Sequence, residues 1–146
     1  MSINERVMKA TPAQVWAVLA DGWLYPSWVV GASRMREVAD DWPAVGSTID
    51  HSVGTWPMLL DDLTRVVACV PESRLVLHAN ARPAGEAEVQ MRLEPVGAHT
   101  RVEMEEHVTG GPGRFVPEVL TGWGMRQRND ESLRRLAFIA ERRTIR

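Results

Sequence analysis

The chain predicts an α+β fold in which a long C-terminal helix lies across a curved antiparallel sheet, and three features carry that expectation. From Gly46 onward it runs through successive strand-like segments, at about 47–54, 59–70, 74–81, 86–95 and 100–109. Short turns such as Pro71-Glu72-Ser73 and Val96-Gly97-Ala98 join them, so the strands form an antiparallel meander. Toward the C-terminus the period becomes helical. At about 100° per residue, Phe115, Val119, Gly122, Arg126, Asn129, Leu133, Leu136, Ala137 and Ala140 fall on one stripe. Arg128, Glu131, Arg134, Glu141 and Arg142 lie mostly off it. A meander has one face to cover, and a terminal helix with a single apolar stripe can cover it.

The elements before the meander follow from local chemistry. Ile3 to Lys9 reads as the first strand. In Thr11-Pro12-Ala13-Gln14, Thr11 can cap a helix, Pro12 suits the first helical position and Gln14 sits where a capping-box partner reaches back. Val15, Val18 and Leu19 supply the buried face of that short helix. Asp21 can cap a second short helix through Trp23 and Leu24, interrupted by Pro26, before Trp28 leads into a strand at about Val29 to Val38. Two short helices therefore separate the first two strands.

The 146 residues fit one domain, 1–146, with no second core. Hydrophobic residues at 45% and charged residues at 25% are ordinary globular usage, and a net charge of -2 provides no basic field for nucleic acid or anionic lipid. The polar opening and the lack of any apolar run near the roughly 18 residues of a membrane span point to a cytoplasmic protein with neither signal segment nor membrane helix. Cys69 is the one cysteine, so no internal disulfide forms. Its setting in Val66-Val67-Ala68-Cys69-Val70 is that of a small buried apolar residue.

The succession of strand, two short helices, antiparallel strands and long C-terminal helix resembles the START-like (SRPBCC) helix-grip superfamily. The residues carrying the resemblance are Thr11-Pro12-Ala13-Gln14-Val15-Trp16, Trp28-Val29-Val30-Gly31 and Pro71-Glu72-Ser73-Arg74-Leu75-Val76-Leu77. Gly97-Ala98-His99-Thr100-Arg101-Val102 and Arg128-Asn129-Asp130-Glu131-Ser132-Leu133-Arg134-Arg135-Leu136 look like the last hairpin and closing helix of small bacterial, polyketide cyclase/dehydrase-like members. The resemblance spans nearly the whole chain. It implies a cavity between sheet and helix that takes a hydrophobic ligand, lipid or polyketide among them, but no single reaction.

Facing rules select candidates for that cavity. Along Arg101 to Val108, the residues Val102, Met104, Glu106 and Val108 share a face, and if that face meets the helix, Glu106 goes inside with Met104. There it is a ligand contact or a base, or else a carboxylate near solvent or paired with an arginine. Arg126 and Asn129 interrupt the apolar stripe, and a buried guanidinium requires a partner, so Glu106 with Arg126 is the expected pair. His51 shares parity with Ile49 and Val53 and is either a proton-transfer group or a packed, hydrogen-bonded residue. Trp28, Trp56, Pro57 and Met58 sit where strands or loops end and can line a pocket mouth, while Trp16 is expected in the core. Trp23, Trp42 and Trp123 are packing or rim residues.

Other chemistries lack their residues. Asp61 and Asp62 point to opposite faces of a strand, the four histidines lack zinc spacing, and neither metal nor cofactor is expected. Gly110-Gly111-Pro112-Gly113-Arg114 lacks the Gly-Lys-Ser/Thr end of a phosphate loop and reads as a link into the last helix, and no nucleophile elbow occurs. The leading expectation is a binding or transport module for a hydrophobic or aromatic small molecule. The alternative is a polyketide cyclase/aromatase-type enzyme in which His51, Glu106 or Arg126 handles protons and enolate charge. A third class, a protein-interaction partner, has no marked surface. The chain is expected to be a monomer, or a homodimer through a sheet edge or exposed tryptophans.

Overall fold

A computed structural model describes residues 1–53, 60–81, 85–111 and 118–142. The chain opens with β1 (Ser2–Met8), followed by α1 (Pro12–Leu19), a single 3-10 turn (Gly22–Leu24) and α2 (Tyr25–Trp28). The sheet continues through β2 (Ala32–Val38), β3 (Thr48–Val53), β4 (Leu60–Val70), β5 (Arg74–Ala81), β6 (Gly85–Val96) and β7 (His99–Gly110), and α3 (Glu118–Arg142) closes the fold. The seven strands form one sheet in the order β1-β7-β6-β5-β4-β3-β2, every pair antiparallel. This is the helix-grip arrangement, an α+β fold.

Local chemistry sets the helix starts. Thr11 Oγ1 accepts from the Gln14 amide at 3.2 Å while Gln14 Oε1 accepts from the Thr11 amide at 2.8 Å, a complete capping box. Asp21 Oδ1 accepts from the Trp23 amide, and the Trp42 indole donates to the carbonyl of Leu19 at the open end of α1. A Cβ at Gly22 would meet Val38 Cγ1 at 2.6 Å, so any larger residue there requires Val38 to shift. Pro26 sits inside α2 in its first turn, where the missing N–H costs no hydrogen bond, so it does not interrupt the helix. The second strand starts at Ala32 instead of Val29, because Val29 to Gly31 form a turn with Gly31 at φ 94.

Strand alternation places the core. Met8, Leu75, Leu77, Met91, Val102 and Met104 point toward α1 and α3, and Val15, Val18, Leu133, Leu136, Ala137 and Ala140 meet them from the helices. Register shifts between Val66 and Ala68, and between Glu86 and Ala87, bend the sheet. The first of these breaks the alternation around Cys69, which is half-buried and not the buried residue expected; its thiol is pushed up by that partial burial.

Helix α3 is tied to β1 and to Lys9 just beyond it. Asn4 Nδ2 donates to the Arg126 carbonyl at 2.8 Å, and Glu141 Oε1 accepts from the Lys9 amide at 2.9 Å. Between them Ser132 Oγ accepts from the Val30 amide in the α2–β2 turn. Phe115 lies outside the described residues, as do the side chains of Val119, Gly122 and Trp123.

Because Leu136 is fully buried in the seam, Leu136→Ala is expected to lower unfolding free energy by about 2–5 kcal/mol. Phe138, on the same helix but 56% exposed with Arg142 over its ring, should lose about 1 kcal/mol or less on truncation to Ala. Chemical denaturation of the two variants checks the difference.

Candidate functional site

A cavity of about 450 Å³ lies between the inner face of the sheet and the helices α2 and α3. Its floor follows from register. Leu77 pairs with Val89 and Val89 with Glu106, while in the next row Thr64 pairs with Ala79, Ala79 with Ala87 and Ala87 with Val108. Each residue in these rows points the same way, so Ala79 and Ala87 stand side by side in mid-sheet, where larger strand residues would fill the space. Trp28, Val29, Met104 and Val108 continue the apolar wall.

Polar groups gather on the rest of the wall. Glu106, 4% exposed, is held by Arg128, whose Nη2 donates to both carboxylate oxygens. The Arg128 side chain is 43% exposed overall, and the partial desolvation of its guanidinium lowers its pKa from the usual arginine value. Arg128 Nε also donates to Asn129 Oδ1 at 3.4 Å. Asn129 is itself buried, and its Nδ2 meets no acceptor among the described residues.

A second polar group comes from β3, β4 and α2. His51 is buried with Nε2 3.2 Å from Thr64 Oγ1 and Nδ1 3.4 Å from the Ser52 carbonyl. Asp62 Oδ1 accepts from Thr64 Oγ1 and from the Asn80 amide. Tyr25 lies with its ring centroid 4.9 Å from that of His51 and 5.5 Å, edge-on, from Trp28. Burial, and after it the Asp62 carboxylate, push the Tyr25 phenol up to about 12; a Thr64 hydrogen bond and the Arg128 charge act in the opposite direction.

Five sequence candidates therefore reach the cavity wall: Trp28, His51, Met104, Glu106 and Asn129. Trp28 does so from α2 and not from a strand end. Trp56 and Met58, with Pro57, lie outside the described residues. Arg126 is a correction. It is exposed, and the guanidinium on Glu106 belongs to Arg128. The wheel assumed one buried line along the whole helix. At about 100° per residue, the cavity-facing set Arg128, Asn129 and Ser132 is centred roughly a quarter turn from the core-facing set Leu133, Leu136, Ala137 and Ala140. The long Arg128 stem covers the remaining angle.

Tyr25, Asp62, Arg128 and Ser132 were not singled out from the sequence. Asp62 shares inward parity with Thr64 and Val66, a signal that was present. Tyr25 sits on a four-residue helix too short to show a period. Asp61 and Asp62 point to opposite faces as expected, with Asp61 outward and paired with Arg36, which holds it below the usual carboxylate range. Of the other tryptophans, Trp23 is exposed, Trp42 is in the core and Trp16 packs against it.

The family model for polyketide cyclase / dehydrase and lipid transport matches residues 3–141. Among solved structures, a Rhodobacter sphaeroides protein is 26% identical over 94% of this chain and 89% of its own, with TM-score 0.70. A Thermus thermophilus protein is 16% identical over 95% of each chain with TM-score 0.73. Ara h 8.0201 is 11% identical over 94% of this chain and 95% of its own with TM-score 0.72. At that identity the last two show the fold alone. None of the curated proteins matches.

Tyr25 is the chain's single tyrosine, so an ultraviolet titration reads it without overlap from a second phenol. Its folded value lies above the 10.0 of an exposed phenol, so the fold's preference for the neutral form is complete below that pH and is lost as pH rises through about 12. The expected result is phenolate absorbance emerging near pH 12 or together with alkaline unfolding. Emergence near pH 10 in the folded protein would contradict its burial.

Proposed function

The chain belongs to the polyketide cyclase / dehydrase and lipid transport family, and on that premise we propose that it binds or carries a hydrophobic or aromatic small molecule in the cavity between the sheet and α3. The family's description covers chemistry and transport of largely hydrophobic molecules. The observation that carries the proposal for this chain is the space left over Ala79 and Ala87, walled by Leu77, Val89, Met104 and Trp28. A volume of about 450 Å³ falls in the range of small-molecule sites. Transfer of apolar ligand surface from water to such a wall is favourable at about 25 cal/mol per Å² before the costs of association.

The enzyme reading, a cyclase or aromatase using the same cavity, has Tyr25, His51 and Glu106 in its favour, since a phenol, an imidazole and a carboxylate converge on one space. Their bonding argues for binding instead. His51 Nε2 is engaged with Thr64 and the Glu106 carboxylate with Arg128, so neither stands as a free base facing the ligand space. Arg126, being exposed, has no part in either reading.

Nile red, a neutral apolar dye whose emission rises on leaving water, tests the proposal. Wild type is expected to bind it, and Ala87→Trp, which fills the floor of the cavity, should bind at least about tenfold more weakly, a change of about 1.4 kcal/mol. Thermal unfolding of the variant confirms that it is folded. Equal binding by both proteins, or no binding by wild type, would refute the site.

A further inference from the structure

We propose that the cavity contains a subsite for one neutral hydrogen-bond acceptor, a ketone or ester oxygen on an otherwise apolar ligand, with the side-chain amide of Asn129 as its donor. This deepens the binding reading above and rests on it.

The starting point is an imbalance among the polar groups of the wall. Asn129 is 1% exposed and its Nδ2 meets no acceptor among the described residues. The orientation of the amide is settled by its neighbour: Arg128 Nε lies 3.4 Å from Oδ1, and exchanging the two amide atoms would set donor against donor. Two of the acidic groups on the wall are engaged elsewhere. Glu106 takes the Arg128 guanidinium, and Asp62 Oδ1 takes Thr64 Oγ1 and the Asn80 amide. A buried donor left over in this way is rare in folded proteins, and its natural complement is an oxygen brought by a ligand. Nδ2 is covered by its neighbours, on a side chain that lines the cavity.

Charge decides between a neutral and an anionic acceptor. Among the described lining residues Asp62, Glu86 and Glu106 are acidic and Arg128 is the basic one, already paired with Glu106. Glu86 stands 3.7 Å from His78. A ligand carboxylate would enter this field against an excess of negative charge, whereas a carbonyl oxygen takes the hydrogen bond without that penalty. Tyr25 leaves that balance as it is. Its phenol, pushed up to about 12, keeps its proton at any ordinary pH and adds no negative charge to the wall, and no positive charge to offset the carboxylates either.

The test is displacement of Nile red by three compounds with one ring system: methyl β-naphthyl ketone, β-ethylnaphthalene and β-naphthoate. On wild type the ketone is expected to bind about tenfold tighter than the ethyl compound, the worth of one buried hydrogen bond, and the carboxylate no tighter than the ethyl compound. Asn129→Leu should bring the ketone down to the affinity of the ethyl compound and leave the latter unchanged. If Asn129→Leu does not fold, Asn129→Asp asks the same question, since it keeps an oxygen for Arg128 and removes the donor. Equal affinity of ketone and ethyl compound on wild type would overturn the subsite while leaving the cavity reading intact. So would a ketone preference that survives in the variant, or tightest binding by the carboxylate. If Nile red and all three compounds fail to bind, the cavity reading itself falls and the subsite with it.

Discussion

The structure depends on one geometric constraint: one long helix, aided only by the short α1 and α2, must cover the concave face of the sheet formed by the seven described strands. A helix is about 10–12 Å across with its side chains, and strands are spaced about 4.8 Å apart, so one helix seals little more than two strands. α3 lies at one side, held to β1 by Asn4 and to Lys9 just beyond it by Glu141, and packed against α1, α2 and β7. What remains over β5 and β6 is closed by curvature and side-chain volume. At Ala79 and Ala87 that volume is minimal, and the cavity is the result. The same seam that stabilises the protein therefore determines where it is left hollow.

The polar groups in the wall fit this view better as equipment of a container than as a source of stability. Burying charge is costly, and a buried ion pair seldom outperforms apolar packing of the same volume. Glu106 with Arg128, and His51 with Thr64 and Asp62, are bonded to each other well enough to avoid the penalty of unmet groups. Arg128 links α3 to β7 where the helix departs from its core-facing line, so one side chain both closes the cavity's side and sets the charge inside it. Asn129 Nδ2 is the exception to the satisfied pattern.

Much of this was legible in the sequence wherever one residue's environment repeats with a simple period. Alternation located the strands to within a few residues and sent Glu106 and His51 inward, and the Thr11–Gln14 capping box named the start of α1. The exchange of Arg126 for Arg128 shows where periodicity stops working. A wheel assumes a constant contact direction, and α3 changes its direction between the cavity and the core. Tyr25 stayed hidden because α2 is one turn long, and the significance of Ala79 and Ala87 lies in their being neighbours across two strands, which only register reveals. Trp56 and Met58 fall outside the described residues.

The central claim, that an apolar ligand sits between the sheet and α3, is tested most directly by methyl-resolved NMR during titration with Nile red. The account predicts shifts at Leu77, Val89, Met104 and Val108, whose side chains face the cavity, while Leu63, Val67 and Val70, exposed at 43%, 48% and 51%, stay unmoved. Shifts confined to those exposed residues, or no shifts at the cavity methyls at saturating dye, would contradict it.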